Sequence, residues 1–183
     1  SEPNGGWGVG IDNNNLLYFT KVGVNGSFAS GTIADTKWHH VAVVYTGTQL
    51  KFYIDGVAAG TNSYTDNFTS GGNYTIGARQ IFGNSNGDQT INGKIDESRI
   101  WRNVALTEAE IREWMCKKIT SSHPQYSKLF AYYNFDEKAQ TIAQARKATV
   151  LNPTIRGFGG HFGELINSPL IQTSGAALGD ESV

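Results

Sequence analysis

Two apolar runs, Trp38–Tyr45 and Leu50–Ile54, are followed by Asp55-Gly56 and a third run, Val57-Ala58-Ala59. An Asp-Gly pair between apolar runs suits a type I′ hairpin, because both turn positions need positive φ. Leu50, Phe52 and Ile54 share one face at a period of two. Trp38–Tyr45 is apolar on both faces, which predicts a central strand buried between two layers. A chain built around this segment is committed to antiparallel sheet.

The flanking sequence repeats the theme. Trp7, Val9 and Ile11 alternate with Gly6, Gly8 and Gly10. Glycine on the second face lets another backbone or a ligand approach closely. Asp12-Asn13-Asn14-Asn15 reads as a turn into Leu16–Thr20, and Tyr74–Ala78 and Lys94–Trp101 read as further strands. The 22 glycines among 183 residues favour turns and short strands over long helices. The expected fold is all-β, a two-sheet antiparallel sandwich, with a closed barrel as the alternative.

One helix interrupts the strands. Thr107-Glu108-Ala109-Glu110 has the form of a capping box, and the helix is expected near 107–118. Ile111, Trp114, Met115 and Ile119 form its apolar stripe, and Glu108–Arg112 and Glu113–Lys117 pair on the wet side. Ser121-Ser122-His123-Pro124 ends it. Phe130–Phe135 is a strand, Ala143–Thr149 suits a short helix, and 157–183 is loop-rich with a strand at Glu164–Ile166.

Charge and composition exclude some partners. Fifteen Lys and Arg against sixteen Asp and Glu give a net charge of −1, so nothing draws the chain to nucleic acid. The longest aliphatic stretch, Val41–Val44, is far short of the ~20 residues that span a bilayer, so no membrane span is expected. The single cysteine, Cys116, excludes an internal disulfide and a Cys-rich zinc site, and its place beside the helix stripe reads as packing.

Several of these segments together resemble laminin-G-like, concanavalin-A-like jelly rolls. Trp38–Tyr45 with Leu50–Gly56 is similar to the core motif, and Ile76-Gly77-Ala78-Arg79 to the next strand. Asn92–Trp101 is similar to the closing strand, and Ala105–Ile111 to the helix after it. Leu129–Glu137 and Ser174–Asp180 look like the segment that follows such domains in large bacterial secreted or surface proteins. The resemblance implies a jelly roll over 1–119, a C-terminal extension over 120–183, and an extracellular or cell-surface location. It also implies a non-catalytic recognition or adhesion module, part of a larger chain, binding a glycan or protein. A structural spacer in an adhesin is the alternative. Strands that usually precede Trp7–Ile11 are not found, and the chain starts at Ser1. The expectation is therefore that a longer chain or a partner supplies them and that residues 1–183 alone fold poorly.

The candidate site residues follow from chemistry. If Lys94–Trp101 is one strand, Asp96, Ser98 and Ile100 share a face, so Asp96 turns inward with Ile100. A buried carboxylate needs a cation or several donors. Calcium held by oxygens is one answer; backbone N–H groups or an Arg are the other. Asn84, Asn86 and Asp88 alternate as in the start of a calcium loop, but ordinary turn chemistry also explains them. Any bound ion is expected to be calcium or a similar hard cation, held by oxygens in a structural site. Glu97 and Arg99 read as a surface ion pair. Tyr18, Tyr53, Tyr64 and Tyr74 are candidates for stacking on a sugar, with packing as the alternative. His39 and His40 should point to opposite faces, one to the core and one outward. A glucanase of this fold needs two carboxylates ~5 Å apart. Asp96 is flanked on its face by Lys94 and Ser98, which disfavours an enzyme.

Overall fold

The computed structural model describes residues 6–68, 74–78 and 90–135, with the short strands 149–150 and 163–164. The chain divides into two compact units. One holds Ser1–Ile91 with Ala105–Met115; the other holds Asn92–Val104 with Cys116–Val183. Residues 92–104 join the later part because their strand pairs there.

The first unit is a sandwich. β1 (Trp7–Ile11), β2 (Leu16–Lys21) and β3 (Asn25–Thr32) form one antiparallel sheet in that order. β4 (Val41–Tyr45), β5 (Gln49–Ile54) and β6 (Val57–Ser63) form the other. The Asp12 turn works as its sequence suggests. The backbone N–H groups of Asn14 and Leu16 donate to Asp12 Oδ1, at 2.9 and 2.8 Å, and Asn15 takes φ 62°. The Leu16 N–H in particular holds the Asp12 carboxyl below its ordinary range. At the β5–β6 turn, Asp55 and Gly56 take φ 51° and 72°, the pair of positive values a type I′ turn demands.

Leu17, Phe19 and Ala29 of the first sheet meet Leu50, Phe52 and Tyr64 of the second unit-one layer to make the main core. Leu50 and Phe52 are completely buried. The other face of β4–β6 carries Val44 and Tyr53, which pack with Ile111 of α1 (Glu108–Trp114). β5 is thus buried on both faces. The central strand is β5 rather than the segment beginning at Trp38, because the strand there starts only at Val41 and β4 pairs with β5 alone among the described strands. Trp38, His39 and His40 are loop. Tyr74–Ala78 is a bent segment and not a strand.

α1 begins as its sequence predicts. The Glu110 backbone N–H donates to Thr107 Oγ1 at 3.2 Å, and the Thr107 N–H donates to Glu110 Oε2 at 2.8 Å. Arg112 Nη2 meets Glu108 Oε1 at 2.5 Å on the exposed side. The helix ends at Trp114, a turn early. Beyond it, Lys117 O accepts from Arg99 and the Ile119 N–H donates to the Tyr132 hydroxyl. Those backbone groups bond to side chains and so leave the helical ladder. Ile119 is buried, but outside the helix.

In the second unit β7 (Ser98–Trp101) pairs antiparallel with β8 (Leu129–Tyr133), and β9 (Thr149–Val150) with β10 (Gly163–Glu164). A short 3₁₀ turn, Tyr126–Lys128, leads into β8. Most of the Ala143–Thr149 segment lies outside the described residues, as does Ser174–Asp180.

Candidate binding face

The pleat of the first sheet sorts its side chains into two sets. Leu17 and Phe19 of β2 and Ser27 and Ala29 of β3 point into the sandwich. Tyr18 and Phe28 must therefore point outward, since successive side chains alternate. They stand opposite each other in the ladder, with Gly10 on the far side of Tyr18. Their rings are tilted by 37° at a centroid distance of 5.9 Å, the separation of an attractive aromatic pair. Phe28 is 47% exposed.

Gly10 fixes where the Tyr18 ring lies. A Cβ built on Gly10 would sit 2.8–2.9 Å from Cε1, Cζ and the hydroxyl of Tyr18. The ring therefore spans the bare β1 backbone, a position only glycine permits. Gly8, Thr20 and Gly26 are aligned in the neighbouring rung of the ladder. Gly8 and Gly26 thus leave a low floor beside the two rings, with the Thr20 hydroxyl on the same face. Thr20 Oγ1 donates to Asn25 O at 2.8 Å, which leaves its lone pairs outward as acceptors. This face offers apolar ring surface next to a few oriented polar groups, the combination suited to a ligand that is itself half apolar and half hydroxylated.

The other candidate aromatics divide. Tyr53 and Tyr64 are each 6% exposed and belong to the packed cores. Burial pushes both phenols above their ordinary range. Neither offers a ring face to a ligand, so these two are corrected to core residues. The Tyr64 hydroxyl instead donates to Asn25 Oδ1 at 2.6 Å and accepts from the Lys21 N–H. Tyr74 is exposed and lies 5.8 Å from Trp7, whose ring stacks on Phe19. Phe28 carries no sequence signal of its own. It is recognised only once Ser27 and Ala29 are seen to face inward.

Asp96 lies outside β7, half-buried, and its Oδ1 accepts the Glu97 backbone N–H at 2.9 Å. Glu97 takes φ 52°, which breaks the strand alternation that placed Asp96 beside Ile100. Asn84, Asn86 and Asp88 lie outside the described residues. Among the described residues, no group of three His, Cys, Asp or Glu side chains comes together to hold a metal.

Glu97 and Arg99 are not a surface pair. Both side chains are 9% exposed, joined at 2.6 Å, and Glu97 Oε2 also accepts from the Tyr132 hydroxyl at 2.6 Å. Burial raises the Glu97 carboxyl above its ordinary range, against the pull of Arg99 and Tyr132. The two histidines do not divide cleanly between core and solvent either. Both are half-buried, and His39 sits between Asp35 and Asp55.

The layered antiparallel sheets define a jelly-roll sandwich whose outer β1–β3 face presents two rings and the Thr20 hydroxyl. Residues 1–112 match the laminin G model of the concanavalin A-like lectin/glucanases superfamily, and the chain belongs to that family. A solved structure from Bacteroides ovatus ATCC 8483, of a protein proposed to bind carbohydrate, has the same fold. It is 23% identical, with a TM-score of 0.54, over 69% of this chain and 35% of its own. This chain thus spans about a third of that protein. An S-layer domain-containing protein from Clostridium thermocellum ATCC 27405 is 25% identical over 63% of this chain and 65% of its own, with a TM-score of 0.37. No curated protein matches the chain. Among the described residues, no helix is long and apolar enough to cross a membrane.

Proposed function

We propose that the chain is a non-catalytic carbohydrate-binding module, and that the outer face of β1–β3 receives the sugar. The Tyr18–Phe28 pair laid against Gly10 carries this reading. A pyranose has C–H faces that pack on aromatic rings and a rim of hydroxyls that hydrogen-bond. Two tilted rings beside a low glycine floor accept such a face, and the Thr20 hydroxyl supplies an acceptor at its edge. Membership of a superfamily that holds lectins, and the carbohydrate binding proposed for the Bacteroides ovatus protein, support the same class of ligand.

The superfamily also holds glucanases, so the carboxylates bear on the choice. Asp35 and Asp55 both contact His39, Glu97 is bound to Arg99 and Tyr132, and Asp12 is closed on its own turn. None of these leaves a carboxylate pair facing the open aromatic surface, which favours binding over hydrolysis. The module reading places the chain outside the cell, within a longer adhesive or surface protein that displays it to glycans. A structural calcium with Asp96 as a carboxylate ligand belongs to the proposal as an accessory to sugar binding.

The test is a glycan array probed with the 183-residue chain, in parallel with Tyr18→Ala and Phe28→Ala. Binding by the native chain and its loss in both variants supports the reading. A native chain that binds no glycan favours the structural-spacer role. Turnover of any bound glycan would make the chain a hydrolase.

A further inference from the structure

His39 Nε2 lies 2.7 Å from Asp35 Oδ1, and His39 Nδ1 lies 2.8 Å from Asp55 Oδ2. Both contacts are hydrogen bonds only if both ring nitrogens carry protons, because a carboxylate can only accept. A neutral imidazole would set one nitrogen lone pair against a carboxylate. The geometry therefore selects the imidazolium.

The three residues join separate parts of the sandwich. Asp35 and His39 belong to the loop between β3 and β4, and Asp55 belongs to the β5–β6 turn. The two segments are further tied by backbone. Asp55 N donates to His40 O at 2.8 Å, and His40 N donates to Asp55 Oδ1 at 2.9 Å. The loop starts from Ile33, whose N–H donates to Asn15 O in the β1–β2 turn. The turn is backed by α1, where Arg112 Nε donates to Gly56 O. We infer that Asp35, His39 and Asp55 form a proton-operated clasp, which fastens the β3–β4 loop to the β5–β6 turn through both ring nitrogens while His39 is charged and loosens it when the proton leaves, the His40–Asp55 hydrogen bonds remaining.

The charged groups around the clasp are few. On the loop, Lys37 Nζ stands 4.0 Å from Asp35 and its N–H donates to Asp35 Oδ1, and His40 adjoins His39. From the turn there is Asp55, and from α1 Arg112, itself paired with Glu108. The hydrogen bond to Asp35, then that to Asp55, raises His39 above the ordinary histidine range, and the same bond lowers Asp35. The folded state thus holds the His39 proton more tightly than the unfolded chain. The clasp contributes fully below the ordinary His value of ~6.5 and is lost as pH rises through the higher folded value.

The experiment follows the His39 ring by NMR on the 183-residue chain while amide exchange is read over residues 33–40, from pH 5 to 9. Exchange is corrected for its intrinsic pH dependence. The expected result is a His39 midpoint above that of an unstructured histidine, with loop opening rising at that same midpoint. Asp55→Asn keeps an acceptor for His40 N and tolerates the positive φ of the turn. It should lower the midpoint toward the ordinary histidine value, and Asp35→Asn should do likewise. His39→Gln should leave the loop equally open at every pH. A midpoint at or below the ordinary value, or loop exchange that ignores His39 titration, overturns the clasp.

Discussion

Phe52 and Phe28 are the same side chain in opposite settings, and removing each one tests the sandwich directly. Phe52 is completely buried between the two sheets, while Phe28 is 47% exposed on the outer face. Phe52→Ala removes a ring from a packed core and leaves a cavity, at a cost of about 3–5 kcal/mol. Phe28→Ala forfeits its pairing with Tyr18 and a fraction of its burial, about 1 kcal/mol. At ~2–4 °C of melting temperature per kcal/mol for a chain of this size, the first change lowers the transition by about 6–20 °C and the second by about 2–4 °C. Urea denaturation followed by circular dichroism gives both free energies, and the Phe52 variant should be the less stable by at least about 2 kcal/mol. Equal losses would mean that Phe28 is core and the outer face is covered. A loss under about 1 kcal/mol for Phe52→Ala would mean that the two sheets do not meet around it.

In the second unit, Arg99→Ala strands the buried Glu97 carboxylate and should cost about 3–5 kcal/mol, read as a lowered denaturation midpoint; a loss below ~1 kcal/mol would show that the pair is solvated. If calcium is bound at Asp96, the melting temperature of the chain rises with free calcium and Asp96→Asn removes that rise; no response to chelator in the native chain refutes the site.

What the sequence made legible was local. The Asp55-Gly56 turn, the Asp12 turn and the Thr107–Glu110 capping box each depend on residues within four positions, and each forms as read. The family resemblance rested on longer segments, and residues 1–112 do match that family. The misreadings required distant information. Trp38–Tyr45 is apolar enough for a central strand, yet layer position is set by which strand finds partners on both sides, and among the described strands of that sheet it is β5. Glu97 looked exposed because strand alternation was carried through a residue whose φ is 52°. Its burial depends on Tyr132, 35 positions away. Tyr18 and Tyr64 look alike in sequence and part only in register, one outward beside Phe28 and one into the core. The His39 clasp depends on Asp55, 16 positions along, brought near by the hairpin. A single sequence shows the residue types in such contacts but not their pairing.

A saccharide on the outer face of β1–β3 should leave its footprint on that sheet. Backbone chemical-shift mapping, as a glycan that binds is titrated into the 183-residue chain, tests it most directly. Shifts should concentrate at Gly8, Gly10, Tyr18, Thr20, Gly26 and Phe28, and a folded Phe28→Ala chain should bind roughly tenfold more weakly, the loss of ~1.4 kcal/mol. Shifts centred on Trp7 and Tyr74, or on the residues around Asp96, with Phe28→Ala binding as tightly as the native chain, would contradict it.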